Sequence, residues 1–421
     1  MEKFSIEGPS KIRGEIKISG SKNSSLPILA ATLLFNKPVV IKNLPKVKDI
    51  NTMISLLRSL GSKVILSKDR RIAKIYNKKK IKTFASYSLV KTMRGSILVL
   101  GPLVAKYFQS KVSLPGGCLI GARPINYHLY ALKKLGMDYI LKDGYILAKS
   151  KGKLKGTTIK FPKISVGATE NSIIAACLAK GITTLKNCAV EPEIKDLTNF
   201  LNLAGANITW KGRTCKIVGV TTLNKSEYSV MPDRIEAGTF CVAATITGGN
   251  LDILNFDAKI IKTELNLLKK FGARTRIYKE KLSIKGPKNI KPVTNIKTGE
   301  YPGVATDMQS QLMVLMCKAN GKSYITENIF ENRFMHVAEL RRLGAKIIIK
   351  KNKAFVEGNT KFIGAELMSS DLRASVSLVL AAMVSKGKSI IHRIYHLDRG
   401  YENIENKLKK IGVRIKRLNY E

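Results

Sequence analysis

The sequence is poor in acidic residues. It contains 30 Asp and Glu against 74 Lys and Arg, so the 421-residue chain has a formal net charge of +44. Taken alone, this balance favours an anionic partner such as nucleic acid, an acidic membrane or a phosphorylated substrate. However, 56 of the basic residues are Lys, and Lys accompanies abundant Ile and Asn, which share AT-rich codons. Compositional drift therefore explains the larger share of the excess, and an anionic active site explains a smaller share.

Long apolar runs are also missing, which argues against a membrane-spanning helix. The best candidate, residues 96–104, contains Gly101 and Pro102 and is far shorter than the roughly 20 apolar residues required. The first residues show no apolar signal-peptide core, so we expect a cytoplasmic protein. Contents of 44% hydrophobic and 25% charged residues exclude a disordered chain, a collagen or a coiled coil.

Cysteine and histidine are too few and too widely spaced to indicate a disulfide framework or a zinc site. The six Cys include no C-x-x-C pair, and the four His include no H-E-x-x-H. His392 and His396 have the i, i+4 spacing of a helix, but no third ligand accompanies them. The sequence therefore predicts reduced thiols and no metal.

The sequence does contain a sixfold internal repeat. An amphipathic helix, a Gly and a β-type run recur at intervals of 67–75 residues, as in LLRSLGSKVIL and LRRLGAKIIIK. Each Gly suits the left-handed position that ends a helix. The six glycines are Gly61, Gly136, Gly205, Gly272, Gly344 and Gly412. A second helix, rich in Ala, Ser and Gly, recurs in phase at residues 21–34, 90–106, 165–180, 233–247, 306–320 and 371–386.

This repeat predicts an α/β protein of two similar domains. The small-residue helices carry few charges, so we expect them to be buried among the sheets. Three repeats make a domain of about 200 residues, which is an ordinary domain size. We therefore predict one domain at residues 21–230, with the cysteine loop described below. The second domain is predicted at residues 1–20 with 231–421.

One loop is rich in glycine and contains a cysteine. The stretch SLPGGCLIGARP, residues 113–124, has three Gly and two Pro, so it is neither a plain helix nor a plain strand. Such positions often form the hinges of lids. Cys118 lies five residues before Arg123, and a nearby cation lowers the pKa of a thiol. Cys118 is therefore a candidate catalytic group, and the alternative is a passive Cys in a flexible loop.

The scarce arginines lie at equivalent boundaries of the repeats. Helix starts bind phosphate or carboxylate, and Lys22 opens the first small-residue helix. Arg is suited to bidentate recognition of the same groups. The boundary arginines are Arg94, Arg123, Arg333, Arg373 and Arg399. Together they would bind a small, highly anionic substrate. Asp307 among them is either an ion-pair partner or a base.

The motifs that contain these residues resemble those of the bacterial UDP-N-acetylglucosamine enolpyruvyl transferases. The resemblance covers the whole chain through SGSKNSSLPIL, SLPGGCLIGARPI, ISVGAT, TDMQSQ, ITENIFENRFMHV and YHLDRGYENIE. It implies two inside-out α/β barrels of three repeats each, which agrees with the sixfold count. It also implies transfer of the enolpyruvyl group of phosphoenolpyruvate to the 3′-hydroxyl of UDP-N-acetylglucosamine. This is the committed step of peptidoglycan synthesis, and no metal or organic cofactor is implied.

The same resemblance implies roles for individual residues. Cys118 would protonate the CH2 carbon of phosphoenolpyruvate, and Asp307 would accept the proton of the 3′-hydroxyl. Lys22 and Arg399 would also act in catalysis, because they would stabilise charge on the phosphate and carboxylate. Phosphoenolpyruvate would be held by Lys22, Asn23, Arg123 and Arg399. UDP-N-acetylglucosamine would be bound by Arg94, Arg123, Pro124, Ile125, Asn126, Tyr127, Lys163, Ser165, Val166, Gly167, Asp307 and Ile329. Further active-site candidates are Arg333, Asp371 and Arg373.

One departure and two alternatives accompany this interpretation. Asn126 stands where the family often has Asp, so the contact keeps an acceptor but loses a charge. Because Cys118 is present, we predict sensitivity to fosfomycin, which alkylates that thiol in the family. One alternative is an enzyme like enolpyruvylshikimate phosphate synthase, which lacks the loop Cys. The other is a basic nucleic-acid-binding protein, but one Trp and no aromatic-rich basic stripe count against it. We expect no specific nucleic-acid partner and no membrane partner.

Overall fold

The computed structural model describes residues 2–78, 81–115 and 125–419. The chain folds into two compact units. We call residues 20–115 with 125–231 lobe 1, and residues 2–19 with 232–419 lobe 2. The candidate residues Cys118, Arg123 and Pro124 lie outside the described residues.

Strands and helices alternate along the described chain. The strands are β1 (Glu2–Gly8), β2 (Arg13–Lys17), β3 (Val39–Lys42), β4 (Lys63–Leu66), β5 (Ala73–Tyr76), β6 (Phe84–Ala85), β7 (Gln109–Ser113), β8 (Met137–Lys142), β9 (Tyr145–Ser150), β10 (Thr158–Lys160), β11 (Ile182–Lys186), β12 (Asn207–Lys211), β13 (Thr214–Val218), β14 (Ser226–Ser229), β15 (Asn250–Leu254), β16 (Arg274–Ile277), β17 (Lys281–Lys285), β18 (Ile296–Lys297), β19 (Ser323–Thr326), β20 (Lys346–Lys350), β21 (Lys353–Glu357), β22 (Glu366–Met368), β23 (Gly387–His392) and β24 (Arg414–Asn419). The α-helices are α1 (Lys22–Ala31), α2 (Lys48–Leu60), α3 (Tyr87–Val90), α4 (Leu100–Tyr107), α5 (Asn126–Lys134), α6 (Val166–Ala176), α7 (Pro192–Leu203), α8 (Arg234–Thr247), α9 (Lys262–Lys270), α10 (Gln309–Lys318), α11 (Val337–Arg342), α12 (Leu372–Met383) and α13 (Ile404–Lys410). Short 3-10 helices cover Thr32–Leu34, Arg94–Val99, Ala258–Ile261, Thr306–Met308 and Ile394–Arg399.

Within the described residues the strands form six four-stranded sheets, three in each lobe. The orders in lobe 1 are β14-β3-β5-β4, β6-β7-β9-β8 and β10-β11-β13-β12. The orders in lobe 2 are β16-β17-β15-β2, β18-β19-β21-β20 and β22-β23-β1-β24. Every sheet has one parallel pair at one edge and two antiparallel pairs beyond it. The repeat inferred from the sequence is therefore a repeat of one sheet topology.

The N-terminal strands belong to lobe 2 although they precede all of lobe 1 in the chain. Strand β1 pairs antiparallel with both β23 and β24. Strand β2 pairs parallel with β15. Without these two strands, two of the lobe 2 sheets would lack a member, so lobe 2 needs both ends of the chain.

The small-residue helices lie in the core of each lobe. In α8 every residue from Arg234 to Ile246 is buried, and in α12 every residue from Arg373 to Met383 is buried. About half of these positions are Ala, Ser, Gly or Thr, and such small side chains allow a helix to be enclosed on all sides. The prediction that these helices are buried is confirmed.

The glycines that end the amphipathic helices adopt the predicted left-handed conformation. Their φ angles lie between 96° and 106° at Gly61, Gly136, Gly205, Gly272, Gly344 and Gly412. A side chain is disfavoured at such angles, and the left-handed residue satisfies the last carbonyls of the helix. For example, the N–H of Gly61 donates to the carbonyl of Arg58.

The second small-residue helix differs from the prediction of one helix over residues 90–106. Helix α3 ends at Val90, a 3-10 helix follows over Arg94–Val99, and α4 begins at Leu100. Where the 3-10 helix meets α4, Asn171 of α6 contacts the backbone, and its Nδ2 atom donates to the Ile97 carbonyl at 3.2 Å. A Cβ atom on Gly101 would lie 2.2 Å from Oδ1 of Asn171, and the Gly101 N–H donates to that oxygen at 2.9 Å.

In the described part of the chain, none of the helices is long and apolar enough to cross a membrane.

Candidate active site

Asp307 in lobe 2 is held by two buried arginines. Its Oδ1 atom lies 2.7 Å from Nη2 of Arg333, and its Oδ2 atom lies 3.1 Å from Nη2 of Arg373. Both arginine side chains are 4% exposed, whereas the aspartate side chain is 26% exposed. The carboxylate is therefore the part of this cluster that solvent or a ligand reaches.

Three different elements supply this cluster. Asp307 lies in the 3-10 helix before α10, Arg333 follows β19 in a loop, and Arg373 lies in the first turn of α12. The side chain of Asp371 caps α12, because its Oδ1 atom accepts the N–H groups of Arg373 and Ala374 at 2.9 and 3.1 Å. Burial is the largest single cause and lowers the pKa of Arg373, but Asp307, Tyr401 and Asp233 together raise it, and the net shift is upward. Arg373 is therefore a permanent cation.

Glu327 fixes the segment that contains Ile329. Its Oε1 atom accepts the Ile329 N–H at 2.8 Å and the Phe330 N–H at 3.2 Å. Its Oε2 atom accepts the hydroxyl of Thr306 at 3.0 Å. Because Thr306 precedes Asp307, the Ile329 segment and the aspartate are tied together through one buried carboxylate.

Arg399 is the last residue of the 3-10 helix Ile394–Arg399 and is half-buried. The preceding Asp398 accepts a bidentate contact from Arg417, with Nη2 to Oδ1 at 2.8 Å and Nη1 to Oδ2 at 3.2 Å. Arg417 also binds Glu405 through Nε at 2.9 Å. The cation at position 417 therefore neutralises Asp398 beside Arg399.

Lys22 in lobe 1 lies among carboxylates. It is the first residue of α1, and its Nζ atom is 3.6 Å from Oδ2 of Asp49. The two side chains are only 13% and 5% exposed. The pKa of the nearby Glu170 is raised well above its usual value, first by burial and then by Glu193 and Glu191, whereas Lys22 opposes the shift. The ammonium is therefore held in place by negative charge.

Two of the predicted nucleotide residues of lobe 1, Gly167 and Arg94, lie near the buried His128. A Cβ atom on Gly167 would lie 3.1 Å from both Cε1 and Nε2 of His128. The Nδ2 atom of Asn171 lies 3.1 Å from the Nδ1 atom of His128. The pKa of His128 is lowered to about 4, first by burial and second by Arg94. The ring is therefore neutral, and the starts of α5 and α6 and the Arg94 side chain come together around it.

The other predicted residues of lobe 1 lie at the same helix starts. Asn126 and Tyr127 open α5, and Asn126 is exposed. The Ser165 hydroxyl caps α6 by accepting the Ala168 N–H at 3.4 Å. Exposed or half-buried positions are held by Asn23, Ile125, Lys163, Val166 and Gly167.

The sequence interpretation missed Asp49, Glu327 and His128, which contact or adjoin predicted site residues. Asp49 follows Lys48 at the start of α2, and an acidic residue there was an available signal. Glu327 lies inside the motif ITENIFENRFMHV, and His128 lies three residues after the motif SLPGGCLIGARPI. Only the fold shows which residues they contact.

The five described cysteines are free and buried. Burial raises the pKa of Cys177, Cys188 and Cys317 to about 12 each. It raises the pKa of Cys215 and Cys241 as well. These thiols are therefore protonated at neutral pH and poorly nucleophilic. Cys118 lies outside the described residues.

Solved structures of enolpyruvyl transferases share this fold. The structure of the enolpyruvyl transferase NikO from Streptomyces tendae covers 100% of this chain and 99% of its own, with a TM-score of 0.90 at 22% identity. EPSP synthase from Acinetobacter baumannii covers 100% of both chains, with a TM-score of 0.78 at 18% identity. These likenesses confirm the predicted α/β fold class of six repeats in two lobes.

Sequence similarity places the chain within that class. The profile of the EPSP synthase family, 3-phosphoshikimate 1-carboxyvinyltransferase, matches residues 6–408. A UDP-N-acetylglucosamine 1-carboxyvinyltransferase of Pelagibacter ubique is 62% identical over 420 residues, which is 100% of both chains. The enzyme of that name from Endomicrobium trichonymphae is 48% identical over 417 residues, 99% of both chains. The chain therefore belongs to the EPSP synthase family and, within it, to the UDP-N-acetylglucosamine 1-carboxyvinyltransferases, as predicted from the sequence.

Proposed function

We propose that this protein transfers the enolpyruvyl group of phosphoenolpyruvate to the 3′-hydroxyl of UDP-N-acetylglucosamine and releases phosphate. The names of the relatives at 62% and 48% identity, each matched from end to end, support this substrate pair. The reaction would serve peptidoglycan synthesis and cell-wall biogenesis, with consequences for cell shape and division. We propose the cytoplasm as its location.

The observation that carries the proposal is that Arg333 and Arg373 each form an ion pair with the carboxylate of Asp307. An ionised carboxylate with partial exposure accepts a proton from a hydroxyl placed against it, and buried arginines hold it in one orientation. In the proposed reaction Asp307 takes the proton of the 3′-hydroxyl. Arg333, Arg373 and the cap residue Asp371 keep the carboxylate in position.

The cations of lobe 1 fit the anionic groups of the two substrates. Lys22 is fixed by Asp49 at the start of α1, where a phosphate or carboxylate also meets free N–H groups. We propose that Lys22, Asn23, Arg123 and Arg399 hold phosphoenolpyruvate. Ile125, Asn126, Tyr127 and Ile329 would contact UDP-N-acetylglucosamine together with Arg94, Arg123, Pro124, Lys163, Ser165, Val166 and Gly167.

The proposed chemistry is an addition followed by an elimination. Cys118 donates a proton to the CH2 carbon of phosphoenolpyruvate, which makes C2 electrophilic. The 3′-oxygen then bonds to C2 as its proton passes to Asp307, and a tetrahedral ketal results. The C2–O bond to phosphate breaks, and the methyl carbon returns a proton to the Cys118 thiolate, which restores the enol ether. Fixed cations stabilise the charge that gathers on the phosphate.

Acceptor-dependent phosphate release tests this function. Purified protein is mixed with phosphoenolpyruvate and with UDP-N-acetylglucosamine, shikimate 3-phosphate or no acceptor. We expect release only with the nucleotide sugar, and loss of release in Cys118→Ala. The family description and the Acinetobacter baumannii structure make the shikimate reaction the second candidate, and release with shikimate 3-phosphate alone would establish it instead.

A further inference from the structure

Asp307 is held at its main chain as well as at its carboxylate. The carbonyl oxygen of Asp307 accepts a hydrogen bond from Nε2 of Gln311 at 3.0 Å. The Oε1 atom of the same amide lies 2.9 Å from the hydroxyl of Thr239. Gln311 and Thr239 are 0% and 2% exposed, so these bonds form without competition from water.

The Thr239 hydroxyl leads back to the carboxylate. It lies 2.8 Å from the hydroxyl of Tyr401, which is 2% exposed. The guanidinium carbon of Arg373 lies 5.4 Å from the centre of the Tyr401 ring, within the range of a cation–π contact. Because Arg373 binds Oδ2 of Asp307, the contacts close into a ring that begins and ends at one residue.

The group at the end of this path sets the orientation of the Gln311 amide. The Asp307 carbonyl only accepts, so the amide nitrogen of Gln311 faces it and the amide oxygen faces Thr239. The Thr239 hydroxyl has two acceptors in reach, the Ile235 carbonyl at 2.8 Å and the Gln311 amide oxygen at 2.9 Å, and it accepts the proton of Tyr401. Burial raises the pKa of Tyr401, which keeps its hydroxyl protonated and able to donate.

We propose that Tyr401, Thr239 and Gln311 are positioning residues for Asp307, which act by fixing its main chain and its Arg373 partner together. None of the three binds the carboxylate in the described structure: Gln311 contacts the Asp307 carbonyl, Thr239 contacts Gln311, and Tyr401 contacts Thr239 and Arg373. The proposal rests on the proposed function, because it assigns a purpose to the orientation of the base.

The physical reason is that Asp307 needs support from outside its own short element. It lies in a 3-10 helix of three residues, Thr306–Met308, and its side chain is the most exposed member of the cluster. A base must meet its proton within hydrogen-bond distance, and a shift of about 1 Å lowers a rate by about 100-fold. Loss of one hydroxyl from the ring would loosen the main chain and Arg373 at once.

Thr239 offers a matched pair of variants. Thr239→Val removes the hydroxyl and keeps the shape, whereas Thr239→Ser keeps the hydroxyl. We expect Thr239→Val to lower kcat at least fivefold while KM for both substrates stays within twofold. We expect Thr239→Ser to recover most of the loss, although it leaves a larger gap in the core. A purely structural role predicts the reverse order, because Ser creates the cavity.

Tyr401→Phe extends the test, and Tyr278→Phe in the same lobe is its control because Tyr278 is 52% exposed. We expect a kcat loss at least fivefold in Tyr401→Phe and none in Tyr278→Phe. Circular dichroism and the urea midpoint show whether each variant is folded. The double variant Tyr401→Phe with Thr239→Val should lose little more than either single variant, because both break the same ring.

The outcomes separate this inference from the function on which it rests. If the wild type and Asp307→Asn release phosphate equally, the assignment of the base is wrong. If Asp307→Asn is inactive but folded Thr239→Val and Tyr401→Phe keep wild-type kcat, the positioning role alone is wrong. A rise in KM with unchanged kcat also contradicts it, because that result indicates substrate binding.

Discussion

The Nη2 atom of Arg333 lies 2.7 Å from Oδ1 of Asp307, in a contact where the arginine is almost fully buried and the aspartate is not. Arg373 holds the other carboxylate oxygen. A carboxylate between two cations stays ionised and keeps its orientation, which suits a group that must receive a proton from a neutral hydroxyl. The same two cations weaken it as a base, so position rather than basicity is what the cluster provides.

Asp307→Asn is expected to lower kcat by roughly 10²–10⁴-fold, the usual contribution of general base catalysis. The amide keeps the shape of the side chain but cannot take the proton of the hydroxyl. The matched control is Asp252→Asn, which removes an exposed aspartate that pairs with Lys281 at 2.7 Å. Steady-state phosphate release measures both variants. A near-normal kcat in Asp307→Asn, with the control unchanged, would exclude Asp307 as the base.

Fosfomycin is expected to add to one thiol per chain, at Cys118. The thiols of Cys177, Cys188 and Cys317 are buried, and each has a pKa raised to about 12, so they should not react. Intact-mass measurement and peptide mapping count and locate the adduct. Cys118→Ser should show none, and Cys177→Ser should keep one. An adduct at a different cysteine, or full activity of the modified enzyme, would contradict the assignment.

His336 is expected to destabilise the fold in mild acid. Its ring is 1% exposed, so a positive charge on it would be poorly solvated. Burial lowers its pKa from 6.5 to about 4, with Asp371 opposing and Arg333 assisting. The unfolded chain therefore takes up the proton first, so this stability is present above pH 6.5 and is lost as the pH falls toward 4.

His336→Leu should remove this pH dependence. Between pH 6.5 and 4.5 the wild type should lose roughly 2–3 kcal/mol of unfolding free energy that the variant keeps. Urea midpoints measured at several pH values give the comparison. Parallel pH curves for the two proteins would show that His336 is protonated in the folded state or is not the cause.

Gly101→Ala is expected to destabilise lobe 1 by about 1–3 kcal/mol, the usual cost of inserting a methyl group into a packed core. The new Cβ atom would lie 2.2 Å from Oδ1 of Asn171 and would break the contact between α4 and α6. The control is Gly299→Ala, where nothing lies within 4 Å of the added atom. The urea midpoint should fall only for Gly101→Ala. Equal midpoints would mean that α4 and α6 move apart at little cost.

The six repeats could be recognised from the sequence because helix ends and buried helices follow local rules. A glycine at positive φ must end each amphipathic helix, so the series from Gly61 to Gly412 marked the period before any contact was known. The small-residue helices were likewise recognisable, because a helix without a polar face has to be buried. The prediction of a continuous helix over residues 90–106 was wrong, and the hydrogen bonds of Asn171 to Ile97 and Gly101 come from another repeat, which no local pattern indicates.

The sequence predicted which residues belong to the candidate site but not how their side chains are arranged in space. The sequence indicated that Lys22, Asp307, Arg333 and Arg373 belong to anion-handling segments, since their types and repeat positions were visible. It left open whether Asp307 is an ion-pair partner or a base, and the structure shows the ion pairs directly. Their roles in catalysis stay predictions.

The chain by itself determined the period, the buried helices and the family, because propensity, capping and motif order are properties of neighbouring residues. Only the tertiary structure decided that β1 completes a sheet with β23 and β24, and that Tyr401 reaches Thr239 across 162 positions of sequence. Contacts of that separation depend on how helices and sheets pack in three dimensions. No local pattern records them.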